Sequence, residues 1–465
     1  MSAVAVPTAR RSPVDREWGD AIRAGVLTAR ARKARLLVSL PFSLEVPSLW
    51  RLAAAARGKP TFAWWGAGDR QAVLGLGSAL VQEAREAAAV PALIRRVAEG
   101  LIPGRDASLA ANVDPALIRA HGGIAFDPAW PGRDVPAARF AVPAVSLRQA
   151  PADAPAADGA IHVLVCQWDG ARDVADRAAR ALAWIRRLAA AAERGSFAPP
   201  AGWRLAHPRQ GKDRFSAAVE RAVLEIRRGG LDKVVVSRDA DLVPTEPEAP
   251  PDAWASFAAM AAAAPETCRY AFFDAAGAGM LGASPERLVE IDDGAIRADC
   301  LAGTAWDDRA GAKERREFDH VAAGLRATLE PLCDGLTMAP EPVWRPVPGL
   351  AHLWTPLAGR LRAGARVDEV VAAVHPTPAV AGSPRDAAMA LIRYLEGRPR
   401  GWYAGAIGWI APGEADLAVA IRAIRFADGA AHLTVGAGIV AGSEPEREWE
   451  ETSRKAAAIL GMVTG

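Results

Sequence analysis

The chain has 465 residues, of which 51% are hydrophobic and 24% charged, so it can bury a substantial core and is too apolar to be disordered overall. Its 56 Lys and Arg nearly balance 54 Asp and Glu. A net charge of +2 supplies no global field for nucleic acid or a membrane surface, so a small anionic ligand needs a local basic pocket. Arg10 and Arg11 are not followed by a long apolar stretch, so no signal peptide is expected. No apolar run approaches the ~20 residues of a membrane span. Cys166, Cys268, Cys300 and Cys333 lie far apart without zinc or redox spacing and read as small buried residues. A cytoplasmic location is the expectation.

In chain order, residues 1–20 read as a loosely docked start, 34–40 as a strand and 66–77 as turn, strand, turn. Residues 79–99 predict one amphipathic helix, 151–159 a low-complexity loop, 161–167 a buried strand and 173–194 a long helix. The Pro- and Gly-rich stretch 198–211 reads as a join. Phe215, Val219, Ala222, Val223 and Ile226 then recur at helical spacing, with Asp213 as N-cap and Gly229–Gly230 as the stop. Val234–Val236 predicts a buried strand, 244–252 a surface loop, and 268–274, 288–291 and 295–299 further strands. A charged helix follows over 309–329, then strands at 406–410, 418–426 and 432–435 and a last helix from Glu446. Strict βαβ alternation is missing. The expected body is therefore a large α/β (α+β) unit rather than a dinucleotide-binding domain.

Several residues have the chemistry of a site, each with a plainer alternative. Lys233 opens a strand after a Gly-Gly turn. It is either a solvated strand-end lysine or, if buried, a proton acceptor. Glu286, after Ser284-Pro285, is either a loop carboxylate or an acid whose proton is retained by an apolar setting. Glu314 and Glu317 share one helical face, and Glu448 and Glu451 repeat the spacing. Four carboxylates on two helices suit Mg²⁺, although such pairs also occur on solvated helices. Arg422 lies in an apolar run, where a charge needs a partner. Lys455 falls one turn after Glu451. Tyr403 reads as a core aromatic, and His352 and His375 are the histidines of interest. Leu301-Ala302-Gly303-Thr304 and Gly436-Ala437-Gly438 read as turns whose N–H groups suit a carboxylate. No nucleotide-binding, HExxH, GxSxG or CxxC pattern occurs.

These segments, in unbroken order, resemble the chorismate-utilising enzymes, in particular the isochorismate synthases. The matching pieces are Lys233-Val-Val-Val-Ser-Arg238, Gly282-Ala-Ser-Pro-Glu286, Leu301-Ala-Gly-Thr-Ala305, His352-Leu-Trp-Thr355 and His375-Pro-Thr-Pro-Ala-Val-Ala-Gly-Ser-Pro384. Tyr403-Ala-Gly-Ala-Ile-Gly408, Ala420-Ile-Arg422, Gly436-Ala-Gly-Ile439 and Glu448-Trp-Glu-Glu-Thr452 complete the set. The resemblance covers residues 206–465, the chorismate-binding catalytic region. Residues 1–205 match only in general character, as the variable N-terminal half of the sandwich.

The resemblance implies two packed sheets with outer helices and a site between them. It implies Lys233 as the base that activates water and Glu286 as the acid that protonates the departing hydroxyl. Glu317 and Glu451 become the Mg²⁺ ligands, with Glu314 and Glu448 holding metal-bound water. Arg422, Tyr403, Lys455, Gly303, Thr304, Gly436 and Gly438 form the substrate-carboxylate site, and His352 and Ala379 line the pocket. Phe318 departs from the family pattern, which has histidine after the glutamate. The implied reaction is isomerisation of chorismate to isochorismate by a monomer without a glutaminase subunit. A salicylate-forming lyase and a non-catalytic chorismate-binding paralogue are the alternatives. Relatives that expel pyruvate or use ammonia tend to carry threonine at the position of Ala379.

Overall fold

The computed structural model describes residues 36–41, 49–99, 119–149, 160–165 and 202–464, apart from 57, 70, 71, 79, 133, 134, 249, 250 and 306–310, together with 187 and 190. The predicted start at 1–20, the loop 151–159 and nearly all of the helix at 173–194 lie outside these residues, as does Cys166. Two antiparallel sheets form the body, of 12 and 10 strands among the described residues. The first sheet runs from Leu36–Pro41 through Ala72–Leu76, Thr61–Trp65, Cys268–Phe273 and Gly279–Ser284 to Ala423–Ala427, Ala430–Ile439 and Lys233–Pro244. The second includes Ala295–Ala305, Arg287–Asp292, Glu414–Val419, Ala406–Ala411 and Ala120–Ile124. Strands from both sides of residue 205 pair within each sheet.

The central strands are apolar on both faces because both faces are covered. Phe62, Trp64, Tyr270 and Met280 of the first sheet pack with Ile407, Trp409 and Ala418 of the second. Their neighbours Ala63, Ala271 and Leu281 point the other way. There they meet Leu52 of helix Leu49–Ala55, Phe257 of helix Ala253–Ala263 and Ile459 of helix Pro445–Thr464. The far face of the second sheet belongs to the largest core, with helices Val90–Ala98, Ala312–Leu329 and Val367–Val374. Cys268, Cys300 and Cys333 are free and buried, as small apolar residues should be.

The structure corrects five readings. Residues 79–99 are not one helix: Leu80–Ala84 is an edge strand paired with Ala138–Val142, and the helix is Val90–Ala98, opened by Pro91. Cross-strand pairing there overrides the helix preference of an Ala- and Glu-rich stretch. Asp213 lies inside the first turn of helix Lys212–Arg227, and left-handed Gly211 takes the cap position. Residues 253–263, to which the sequence reading assigned no element, form a helix. It is apolar all round, so it shows no amphipathic period, and it is buried against the first sheet. Residues 418–426 are two strands in different sheets, Glu414–Val419 and Ala423–Ala427. The two Gly-containing turns are strand interiors, with Gly303 at a bulge in Ala295–Ala305 and Gly436 and Gly438 inside Ala430–Ile439.

Asp252 caps helix Ala253–Ala263: its Oδ1 accepts from the backbone N–H of Trp254 at 2.8 Å and of Ala255 at 2.9 Å. Asp252→Ala is expected to cost about 1 kcal/mol, read as a lower urea midpoint at unchanged slope. An unchanged midpoint would show that the cap contributes nothing.

Candidate functional site

Two places where the chain passes from one sheet to the other define the site. Between Gly279–Ser284 and Arg287–Asp292 the passage carries Glu286, and between Glu414–Val419 and Ala423–Ala427 it carries Arg422. The passages are bonded to each other: Val419 N–H donates to Glu286 O at 3.1 Å and Ala283 N–H to Arg422 O at 3.2 Å. Arg422 holds φ 55, a strained value for arginine, which turns its side chain off the strand direction. It is thus not within a strand, as the sequence suggested.

Eleven of the predicted residues line one cavity of about 80 Å³: Glu286, Gly303, Thr304, Glu317, His352, Ala379, Tyr403, Arg422, Gly436, Gly438 and Lys455. Lys233 adjoins it, with Nζ 3.5 Å from the Ala379 carbonyl and 3.2 Å from Glu317 Oε1. A larger groove of about 510 Å³ shares Tyr403 and Thr434 with this cavity. Its walls carry neither the buried acid nor the acidic helices. His375, by contrast, is structural: its Nε2 bonds the Ala125 carbonyl at 2.8 Å.

Lys233 is fully buried and Glu286 is 2% exposed, which removes the solvated readings of both. Burial pushes the Glu286 carboxyl up to about 8, against a hydrogen bond from Thr377 at 3.2 Å and the nearby Lys233 charge. Glu286 therefore carries its proton at neutral pH and is an available donor. Lys233 faces Glu317 because strand residue Gly438 has no side chain. A Cβ at Gly438 would lie 2.0 Å from Glu317 Oε1 and 2.9 Å from Lys233 Cε. Gly303 has a similar reason, with φ +70 and a backbone oxygen of Glu314 2.7 Å from its missing Cβ.

A hydrogen-bonded chain crosses the cavity. Arg422 Nη2 donates to His352 Nε2 at 2.8 Å. Arginine only donates, so this assigns the proton of His352 to Nδ1, which lies 3.3 Å from both the Gly303 carbonyl and Thr304 Oγ1. Thr304 donates to Glu451 Oε1 at 3.0 Å. Burial first, then the Arg422 charge, hold His352 far below its ordinary pKa, so it stays neutral. Arg422 itself is lowered to about 10 by burial and remains cationic. Tyr403 is pushed up to about 12, chiefly by burial, and keeps its phenolic proton.

The acidic residues form a buried wall. Glu314, Glu317, Glu448 and Glu451 are each no more than 6% exposed, so neither helix presents them to solvent. Glu314 Oε2 accepts from Gly311 N–H at 2.7 Å at the helix start. Lys455 Nζ, as its spacing predicted, bonds Glu451 Oε1 at 2.6 Å and the Gly436 carbonyl at 2.9 Å. Burial raises Glu451, but the ammoniums of Lys455 and Lys313 outweigh it and hold the carboxyl low. Burial drives Glu448 upward despite Lys313. Lys313 Nζ lies 2.8 Å from Glu448 Oε1, and the Ser443 hydroxyl also stabilises the charged form, neither in a well-aligned hydrogen bond. The donor chemistry fits a hard divalent cation: several buried carboxylate oxygens, some without donors. Among the described residues no three acidic, His or Cys side chains converge on one point, and lysines occupy the spaces between them. Phe318, the departure from the family pattern, turns into the core.

Sequence reasoning missed Lys313, Thr377 and the Arg400–Glu396 pair. Arg400 bonds Glu396 at 2.6 Å and the carbonyls of Val380 and Val235 at 2.8 Å each, tying the Lys233 strand to the segment bearing Ala379. Lys313 did carry a signal. A cation in the first turn of a helix opposes the helix dipole unless it has another partner.

Residues 24–464 match the family model described as chorismate binding enzyme. The chain is 34% identical over 296 residues to the salicylate biosynthesis isochorismate synthase of Pseudomonas aeruginosa, covering 59% of this chain and 60% of that protein. It is 33% identical over 274 residues to isochorismate synthase MenF of Bacillus subtilis, covering 55% and 56%. Each alignment thus spans less than two thirds of the relative. Among solved structures, MenF, the menaquinone-specific isochorismate synthase from Escherichia coli, superposes with TM-score 0.72 at 24% identity, covering 96% of this chain and 100% of that one.

Gly438→Ala is expected to lower stability by about 1–3 kcal/mol, because the added methyl overlaps the Glu317 carboxylate. Chemical denaturation measures it. Unchanged stability would mean that Glu317 does not approach the strand.

Proposed function

The chain belongs to the chorismate-binding enzyme family, and we propose that it is an isochorismate synthase that adds water at C2 of chorismate and expels the C4 hydroxyl. The observation that carries this is the pairing of unlike groups at one buried cavity. Glu286 keeps a proton to give at neutral pH, and Lys233 is an amine held apart from bulk water. Lys233, once its ammonium has given up the proton it holds against Glu317, takes one from the attacking water, and Glu286 delivers one to the departing oxygen. The ring system is an isomer of the starting one, so no redox partner is consumed. Because water is the nucleophile, no ammonia-supplying subunit is needed, and we infer a cytoplasmic monomer. Among the described residues no helix is long and apolar enough to cross a membrane.

The charge inventory supports a dianionic substrate. Among the described residues Arg422 has no ion pair; its guanidinium donates to neutral His352. With Tyr403 and Lys455 beside it, Arg422 is suited to the enolpyruvyl carboxylate. Glu317 and Glu451 would hold Mg²⁺, with Glu448 and Glu314 behind them through water. The metal would supply charge neutralisation at the ring carboxylate. Ala379 lines the cavity with a methyl group. It offers no hydrogen bond to orient an intermediate for pyruvate loss, which supports stopping at isochorismate.

Purified protein given chorismate and Mg²⁺ is expected to yield a chorismate–isochorismate mixture by chromatography. Stoichiometric salicylate and pyruvate would assign it to the lyases instead. Lys233→Ala and Glu286→Gln should each reduce kcat by about 10² or more with folding intact. Near-normal turnover in either variant removes that residue from its role.

The pH dependence has a definite sign. The acid works protonated and its pKa is raised to about 8, so kcat/KM should fall as pH rises through that value. The Glu286→Gln residual activity should lack this limb. A wild-type profile flat from pH 7 to well above 8 would contradict the assignment.

A further inference from the structure

We propose that Lys313 is a built-in counter-ion that occupies the cation's place in the metal-free protein and must be displaced for a divalent ion to bind. The proposal rests on the reading of the four-glutamate wall as a metal site and adds a residue that sets its affinity. Lys313 Nζ lies 2.8 Å from Glu448 Oε1 and 3.8 Å from Glu451 Oε2, so one ammonium touches both carboxylates of the C-terminal helix. Glu448 has zero exposure, and beside Lys313 the Ser443 hydroxyl also stabilises its charge. A carboxylate so placed needs a positive charge, and in this state Lys313 provides it.

The rest of the wall is fixed in a different way. Lys455 is tied to the Gly436 carbonyl as well as to Glu451, and Lys233 is fully buried against Glu317. Both are anchored within the cavity. Among the described residues Lys313 has no such second anchor, and it stands in the first turn of its helix, where the dipole disfavours a cation; its side chain is 15% exposed, as is that of Lys455. The Lys313 side chain reaches solvent, unlike that of Lys233, and among the described residues it lacks the backbone carbonyl that holds Lys455. A divalent ion held by Glu317 and Glu451 would supply the charge that Glu448 now takes from Lys313, reaching it through water, and the ammonium would turn outward on its flexible stem.

The test measures metal binding directly, without turnover. Mn²⁺ affinity is determined by electron paramagnetic resonance or calorimetry on the full chain in the absence of substrate. Removing the competing charge in Lys313→Met should tighten Mn²⁺ binding by about tenfold or more. Lys313→Arg, whose fork grips carboxylates more firmly, should weaken it. Thermal melting supplies a second readout. Metal-free Lys313→Met should melt lower than wild type, and saturating Mg²⁺ should raise its Tm by more than it raises that of wild type. Unchanged or weaker Mn²⁺ binding by Lys313→Met overturns the proposal while leaving the metal site standing, as does tighter binding by Lys313→Arg. If neither wild type nor variant binds Mn²⁺ or gains Tm, the metal reading falls and this inference falls with it.

Discussion

An ammonium shut away from water is the constraint to which the rest of the site answers. Lys233 has zero exposure, and a buried charge costs several kcal/mol unless an opposite charge meets it closely. Glu317 meets it at 3.2 Å. That approach needs strand residue 438 to be glycine, and it needs Glu317 on the inner face of its helix. The same logic repeats around the cavity, with Lys455 on Glu451, Lys313 on Glu448 and Arg400 on Glu396. Glu286 and Arg422, among the described residues, stand outside this pairing. Glu286 escapes by keeping its proton, and Arg422 leans on a neutral imidazole. In the proposed reaction these are the groups that act on a dianionic guest.

The layered body makes such burial possible. Strands whose two faces both meet protein leave little room for water between the sheets, and the polar groups that lie there must satisfy one another. The chain Arg422, His352, Thr304, Glu451 does so without a break, each member donating to the next. Low polarity strengthens each link and fixes the His352 tautomer. Arg400 performs the same service one shell out, by collecting carbonyls from two segments that would otherwise face each other unpaired.

How much of this was legible in the sequence depended on range. The i, i+3 and i, i+4 relations of Glu314, Glu317, Glu448, Glu451 and Lys455 are local, and helix periodicity transmits them faithfully to the structure. The two-sheet body and the ordered run of segments were also readable. The switch of sheet at Ala420–Arg422 was not, because an apolar run reads the same whether it continues or changes sheet. Helix Ala253–Ala263 lacked a polar face to announce its period. Residues 79–84 needed their partner strand to become extended. Lys313 was legible as a cation at the wrong end of its helix, but its partner, the buried Glu448, was not.

The reciprocal main-chain bonds between the two sheet passages have a mechanical consequence. Glu286 and Arg422 are spaced by backbone hydrogen bonds, Val419 to Glu286 and Ala283 to Arg422, and not by the rotamers of intervening side chains. They behave as two jaws of one rigid caliper whose span is written into the peptide framework. Substitutions elsewhere in the pocket can reshape what is gripped without resetting that span. Ala379 and His352, which come from other segments, are then the adjustable faces. If Glu286 and Arg422 act as proposed, such a scaffold keeps proton donor and anion clamp in register while neighbouring positions drift, which leaves one frame free to be retooled for different fates of the same ring.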